Sequence, residues 1–583
     1  MNKYKEFFIK PENRKQILYE ALRKSVVEGI PDKAVCELFD LNYNTFRSEK
    51  KKFFQTFKQS GNCSHSFFIE SKVGKRVKKN DELEEKVVSL RIKHLSIVDI
   101  KAILSGEGFN VSLWKIDRIL KDNDFSPLAK RTAEEKQNVE LSSNIEVPRT
   151  KPLKLTQADK FDSLGGSIFL FYPILKKMRL DKIINECSYP ETKKLSSQNM
   201  ILSFLALKLN NTERLSHESD YKIDRGLGLF SGLNVLPKCS TLSSYSYKIT
   251  REMNKEFIKK LGESVSKLIP ESGDFNLDFT TIPHWGDESV LEKHWSNTRH
   301  TGLKSILALL VQDQQERNIV FTDAEIKNNN QSEAILEFVD FYNSSTRKLN
   351  CLIFDSKFTT YGNLNKLNQD GIKFITLRRR GEKLVTSFLE VPEAVWQKVN
   401  LSNEYKRKYR KLLVFDSKVK LRDYEGNVRQ IVITNNGRKN PTFLITNDLE
   451  IKTKDLILKY GQRWLIEQGI SEQIEFFHLN KLGSSIIVKV DFDLTMTLLA
   501  DTIYKLFTRQ ISGFEHKKAK TIYRDIIKNH AQITINVKTQ TIDICLNKKN
   551  HLPLLLSLDW FKNGVVIPWL DNYKLNFRVS NTT

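Results

Sequence analysis

Cysteine is scarce and scattered. The six thiols, Cys36, Cys63, Cys187, Cys239, Cys351 and Cys545, show no zinc-ligand spacing and no disulfide framework. This usage fits a reducing compartment. Long apolar runs are also missing: none approaches the ~18 residues that a membrane span needs. The opening stretch, MNKYKEFFIKPENRK, has no apolar core of signal-peptide length. The expectation is a soluble, intracellular chain with no membrane partner. No glycine-rich loop of P-loop type occurs, so ATP use is not implied. Negative charge is in deficit as well. Asp and Glu number 70 against 94 Lys and Arg, a net charge of +24. That excess favours a polyanionic partner, and nucleic acid fits it best.

A chain of 583 residues exceeds what one core usually supports, so several domains are expected. Residues 1–150 read as helical. Asn13 to Glu28 has helical spacing. GIPDKAVCELFDLNYNTFRSEKKKF then gives a short helix, a turn near Leu41–Asn42 and a second helix running into Lys50 to Lys52. This is a helix-turn-helix pattern in which Ala34, Leu38, Leu41 and Phe46 pack, while Tyr43, Asn44 and Arg47 face a major groove. A plain helical hairpin is the bland alternative. The pattern recurs in LSIVDIKAILSGEGFNVSLWKIDRILKDNDF, with Ser96 as an N-cap and a helix starting near Ser112. The divisions are helix-turn-helix units over 1–75 and 76–130, a polar linker over 131–153, and a helical supporting region over 154–270. A catalytic domain follows over 271–382 and 453–510, interrupted by a β insertion over 383–452. Residues 511–583 mix helical and strand patterns.

From residue 274 the period changes to that of strands, in the order β-β-β-α-β-α-β. Asp274 to Thr280 reads as a strand, 281–303 as a polar loop, and Ile306–Val311 with Asn318–Thr322 as a hairpin. Leu349 to Phe354 is an apolar run of buried-strand type, and one long helix spans about Lys454 to Phe477. Three acids stand in this frame: Asp278 on the first strand, Asp355 closing the fourth, and Glu467 on the late helix. Tyr460, Arg463, Glu467 and Ile474 fall within an arc of about 60° at ~100° per residue. Trp464, Ile466, Ile470 and Phe477 flank that arc and pack it onto the sheet. Three convergent carboxylates can hold two Mg²⁺ ions, which cut or join phosphodiesters. Asp287, Asp323, Glu472 and Glu475 are the nearest substitutes.

Other polar groups carry weaker signals. His284, His294 and His300, with Asp287, match no zinc spacing, and a solvated loop explains them. His478 follows the late helix, where a helix C-terminus accounts for it. Arg378 to Arg380 end a strand, and they either hold phosphate or are simply solvated. Core packing is the default for Trp396.

Asp278, Asp355 and the run Tyr460, Arg463, Glu467 together resemble the DDE transposases of bacterial insertion sequences. The likeness is to the group with a Y-x2-R-x3-E signature and a β-strand insertion, and it covers about residues 155–510. The 112 positions from Asp355 to Glu467 leave room for that insertion, and Thr280 stands two positions after the first aspartate, as is common in the family. Where the family has a lysine seven positions after the glutamate, this chain has Ile474.

The resemblance implies a ribonuclease H-like mixed β-sheet core with an inserted β domain, behind helix-turn-helix units. It implies two Mg²⁺ ions, or Mn²⁺ in their place, bound by Asp278, Asp355 and Glu467. It implies metal-dependent cleavage at insertion-sequence ends and strand transfer into target DNA. Tyr460 and Arg463 grip the strand, and an aromatic of the inserted domain, the place of Trp396, stacks on a flipped base. The partners implied are double-stranded DNA, as terminal inverted repeats and target, and a second copy of the chain on that DNA. The implied location is the bacterial cytoplasm, at the nucleoid. A catalytically dead, transposase-derived DNA-binding regulator is the alternative.

Overall fold

A computed structural model describes residues 14–60, 81–92, 95–106, 109–123, 125, 148–284, 291–296, 301–327, 329–401, 411–481, 486–547 and 552–580. The chain divides into two compact units, Met1–Asn144 and Ile145–Thr583. The basic run Lys72 to Lys79 and most of the linker fall outside the described residues, as do Asp287, His300 and Lys406 to Arg410.

The first unit is helical. Helices α1 (Arg14–Val26), α2 (Asp32–Leu38) and α3 (Tyr43–Ser60) bury Ala21, Leu22, Val35, Cys36 and Phe46 against one another. The side chain of Asn42 accepts hydrogen bonds from the backbone N–H groups of Asn44 and Thr45 and so caps α3. Leu41 is partly buried here, but Ala34 and Leu38 are exposed, contrary to the expected packing set. Val35, Cys36 and Phe39 share the inner face of this short helix and bury more apolar surface than Ala34 would. Tyr43, Asn44 and Arg47 all lie exposed on the first turns of α3. Lys50 is not free: it donates to Asp32 (2.6 Å) and to Ser25 (2.7 Å).

Helices α4 (Asp81–Ile92), α5 (Ile97–Gly106) and α6 (Leu113–Asp122) make a second small core around Leu83, Val87, Ile100, Leu104, Ile116 and Leu120. Ser96 and Asp99 form a reciprocal cap at the start of α5, and Ser112 caps α6.

The second unit is mixed α/β. Its strands are β1 (Asp159–Ser163), β2 (Asp274–Pro283), β3 (Lys293–Ser296), β4 (Thr301–Asp313), β5 (Ile319–Ile326), β6 (Cys351–Phe354), β7 (Lys373–Leu377), β8 (Gln397–Asn400), β9 (Lys411–Val419), β10 (Val428–Thr434), β11 (Thr442–Thr446), β12 (Ala531–Asn536), β13 (Thr541–Leu546), β14 (Val565–Val566) and β15 (Lys574–Val579). The larger sheet runs β3-β4-β2-β6-β7-β11-β10-β9-β8, with β5 also paired to β4. β2, β6 and β7 are mutually parallel, and the β2–β4–β5 meander is antiparallel. The strands of segment 383–452 extend this sheet directly, because β11 pairs antiparallel with β7.

Two expectations change. Residues 281–303 are not one loop: β2 runs to Pro283, and β3 pairs with β4 through His294 opposite Leu303. The region 154–270 is not wholly helical either. Its β1 pairs with β12 (Phe161 opposite Ile533), so residues 511–583 complete a second sheet, β1-β12-β13-β15-β14.

Helices α7 (Ser197–Leu209), α8 (Arg251–Ser266), α9 (Ala334–Asn343) and α10 (Tyr361–Gln369) precede the inserted strands. After those strands come α11 (Thr453–Gly461), α12 (Trp464–Glu475) and α13 (Ile487–Thr508). The helix expected over Lys454–Phe477 is therefore two, broken at Gln462–Arg463. The backbone there makes three-apart bonds, Arg463 to Tyr460 and Ile466 to Arg463, just past Gly461. α13 is buried on all sides and shares one core with α7, α8 and one face of the sheet. The other face is covered by a second cluster that includes Ile353, Ile375, Leu444 and Leu456. Among the described residues no helix is long and apolar enough to cross a membrane.

One buried charge on α13 yields a stability prediction. Asp491 is 4% exposed and accepts hydrogen bonds from Asn254 (2.7 Å) and from the Ala324 N–H (3.3 Å). Burial pushes its carboxyl up to about 6. The folded state therefore binds more protons than the unfolded chain between about pH 4 and 6, and this group's contribution to stability falls as pH rises through that window. Asp491→Asn is neutral throughout. Between pH 4.5 and 7 its unfolding free energy should gain on wild type by about 2 kcal/mol. A pH-independent difference in denaturation would contradict this account.

Candidate active site

β2 has two faces. Phe275 and Leu277 enter the main core, while Asp274, Asn276 and Asp278 alternate on the other side. The α11–α12 junction docks on that polar edge. Lys459 pairs with Asp274 (2.7 Å), the Asn276 side chain donates to the Gln462 carbonyl (3.4 Å), and Gln314 donates to the Lys459 carbonyl (2.9 Å) and to Asn276 (3.1 Å). Arg463 completes the series by donating to Asp278 (2.9 Å).

The two aspartates are neighbours. Leu277 lies opposite Phe354 in the parallel β2–β6 pairing, and Asp278 and Asp355 are the next residue on each strand. Below them Phe279 and Phe358 stack, with ring centroids 4.1 Å apart. This ties the middle of β2 to the turn after Asp355. The Asp355 carboxylate accepts the Ser356 N–H (2.5 Å) and so fixes the start of that turn.

Glu467 stands on the first turn of α12 with its side chain 56% exposed. It accepts a hydrogen bond from Arg463 (2.8 Å), so one guanidinium bridges Asp278 and Glu467. Burial pushes the Asp278 carboxyl up, and the Arg463 charge partly offsets that rise. Burial works against the Arg463 charge too, but Tyr460, Asp278 and Glu467 outweigh it and raise its pKa. Burial also lifts the Tyr460 phenol to about 12.

Asp355, Tyr460 and Arg463 border a cleft of about 480 Å³ whose apolar wall includes Leu377, Leu412 and Ile433. Among the described residues, no three His, Cys, Asp or Glu side chains stand close enough to hold a metal ion. The acids are therefore not preassembled as a closed ligand triad. Their chemistry still suits one, because hard carboxylate oxygens are the donors that Mg²⁺ and Mn²⁺ prefer. The bridging guanidinium already occupies a cation's place between two of them.

The remaining expectations divide. Ile466 and Phe477 are buried and Ile470 packs on the core as expected, but Trp464 is 44% exposed and anchors nothing there. Three of the substitute acids are engaged elsewhere. Asp323 pairs with Arg251, Glu472 accepts the Ala519 N–H, and Glu475 accepts the Ser471 hydroxyl. His294 is buried on β3 beside Glu292. His478 sits past α12 in a left-handed conformation, hydrogen-bonded to Asn211 (2.8 Å).

Arg378 pairs with Gln430, while Arg379 and Arg380 donate to the carbonyls of Ser356 and Pro441. Trp396 packs edge-on against Phe388 and Phe415. Sequence reasoning missed the docking set Asp274, Asn276, Gln314 and Lys459. Its one visible signal was the polar alternation in DFNLDFT.

Ile474 lies partly buried against the main core. An apolar side chain suits this position, and a lysine here would desolvate its ammonium or tear the packing. Ile474→Lys should cost about 1–3 kcal/mol. Chemical denaturation checks it, and an unchanged midpoint would show that the side chain is free to leave the core.

Residues 274–500 match the family model described as a transposase DDE domain. Among solved structures, the chain is similar to a piggyBac transposase in a synaptic complex with hairpin DNA. That match has 11% identity and a TM-score of 0.35, and covers 64% of this chain and 82% of that one. A comparison with curated proteins found no match.

Proposed function

We propose, from the match of residues 274–500 to the transposase DDE domain model, that the protein cuts DNA at the ends of an insertion sequence and joins those ends to target DNA. The observation that carries this reading is the meeting of Asp278, midway along β2, with Asp355, just past the end of the parallel neighbour β6, and the helix bearing Glu467 docked beside them. The strand order β5-β4-β2-β6-β7, three antiparallel and then two parallel additions, supports a ribonuclease H-like core for the domain.

Asp278, Asp355 and Glu467 would hold Mg²⁺, with Mn²⁺ as a substitute, and the bound metal would supply Lewis acidity to a water or DNA 3′-hydroxyl and to the leaving oxygen. The protein's own groups position the strand. Arg463 offers a planar fork that matches a phosphodiester, and Tyr460 presents its hydroxyl at the cleft. The apolar wall of the cleft excludes water from one side of the bound strand. α2 and α3 act as a helix-turn-helix reader of the terminal inverted repeats, through the exposed Tyr43, Asn44 and Arg47. α5 and α6 form a second such unit. Two ends must be joined together, so the working form on DNA is a homodimer.

The test uses purified protein and a labelled duplex that carries the inverted repeat of its own element, with and without Mg²⁺. Cleavage at the repeat boundary should depend on metal. Asp278→Asn, Asp355→Asn and Glu467→Gln should each lower it at least ~10³-fold while leaving duplex binding intact. A variant that keeps near-normal cleavage removes that residue from the ligand set. Tight binding without cleavage under Mg²⁺ or Mn²⁺ would favour the DNA-binding regulator.

The reading helix is tested separately. Arg47→Ala should weaken repeat binding by about 1–3 kcal/mol and relax its sequence preference. An equal loss on unrelated DNA would instead mark Arg47 as a phosphate contact.

A further inference from the structure

Arg463 is held by two of the acids that metal loading requires. One Nη donates to Asp278 at 2.9 Å and the other to Glu467 at 2.8 Å. The Arg463 side chain is 18% exposed and that of Asp278 is 17%. The pair is thus shielded at the Asp278 end and open to water at the Glu467 end. A guanidinium does not deprotonate in proteins, so this positive charge can only be displaced. A dication bound by the same two carboxylates would sit a few ångströms from it and be repelled. The guanidinium and the metal therefore compete for Asp278 and Glu467.

The displaced group has a destination. Arg463 lines the 480 Å³ cleft together with Asp355 and Tyr460. A DNA phosphate lying there would offer the same fork geometry as the carboxylates it replaces.

Resting on the transposase reading, we infer that Arg463 is a positioning residue that keeps Asp278 and Glu467 closed to divalent ions until a strand phosphate draws the guanidinium away. Metal loading and strand binding are then coupled. By linkage, DNA raises metal affinity by the same factor as metal raises DNA affinity. The device keeps a chain of this charge from assembling a cutting site before DNA is in place.

The experiment is a Mn²⁺ titration of the full chain, reading free Mn²⁺ by its paramagnetic resonance signal and requiring no catalysis. Without DNA, Arg463→Gln should bind Mn²⁺ about tenfold more tightly than wild type. Arg463→Lys keeps the charge but cannot bridge both acids, so it should fall between the two; it carries the same test if the glutamine variant does not fold. Adding a repeat-end duplex blocked against cleavage should raise the Mn²⁺ affinity of wild type and leave that of Arg463→Gln nearly unchanged.

Affinities of both Arg463 variants at or below wild type without DNA would overturn the inference. Asp278→Asn separates the two layers. If it loses Mn²⁺ while the Arg463 variants gain none, the coupling falls and the metal site stands. If it binds Mn²⁺ like wild type, the acids do not hold metal, and both the coupling and the proposed site fall.

Discussion

The guanidinium of Arg463, shared between Asp278 and Glu467, is where three separate parts of the domain meet: the first strand, the helix that returns after the insertion, and the cleft beside Asp355. A half-buried charge between two carboxylates is tolerable only if all three groups stay satisfied, because an unpaired one would carry the full cost of desolvation. The surroundings are arranged for that. Lys459 with Asp274, and Asn276 and Gln314 with the carbonyls of Gln462 and Lys459, clamp the α11–α12 junction to β2 ahead of Arg463. The break at Gln462–Arg463 belongs to the same arrangement. At the tight turns past Gly461 the Lys459 and Gln462 carbonyls accept backbone N–H groups three residues on, and with their second lone pairs accept from Gln314 and Asn276 as well.

The insertion follows from this demand. After β7 the chain must come back over the sheet so that Glu467 arrives beside Asp278. Strands β8 to β11 make the return by extending the sheet instead of building a detached domain. β11 lies antiparallel against β7, and α11 then covers the face that carries Ile353, Ile375 and Leu444. The same strands supply the aliphatic wall of the cleft, so one set of hydrogen bonds both closes the core and shapes the space next to Asp355. The opposite face of the sheet is sealed by α13, which is buried along most of its length, and that core continues into the C-terminal sheet.

Local patterns were legible where the physics is local. The apolar run ending at Asp355 reads as a buried strand, DFNLDFT alternates, and Ser96 and Ser112 sit where caps belong; the single helical face drawn through Tyr460, Arg463 and Glu467 does not hold, because the helix breaks at Gln462–Arg463. Readings failed where distant partners decide the outcome. β1 is a five-residue strand whose partner lies some 370 positions later, so nothing in its own sequence marks it as part of a sheet. The one-residue error in the packing of α2 arose because seven residues are too few for periodicity to separate Ala34 and Leu38 from Val35 and Cys36. Trp464 flanks the acid's face on an unbroken helix, yet with the helix broken just before it the side chain is 44% exposed.

The position of Ile474 shows how such a frame constrains substitution. It lies seven residues beyond Glu467 on the same helix. It has reached the core that Phe476, Phe477 and α13 share. A lysine here would give up part of that apolar contact to bring its ammonium to solvent. The same helix therefore has a first turn beside Asp278 and a core-facing last turn, and the break ahead of it sets which residues fall on each. Moving that break by one residue would rotate Glu467 by about 100° and carry it away from Asp278. Gly461 and the clamped carbonyls of Lys459 and Gln462 thus determine the register of the acid as much as α12 itself does.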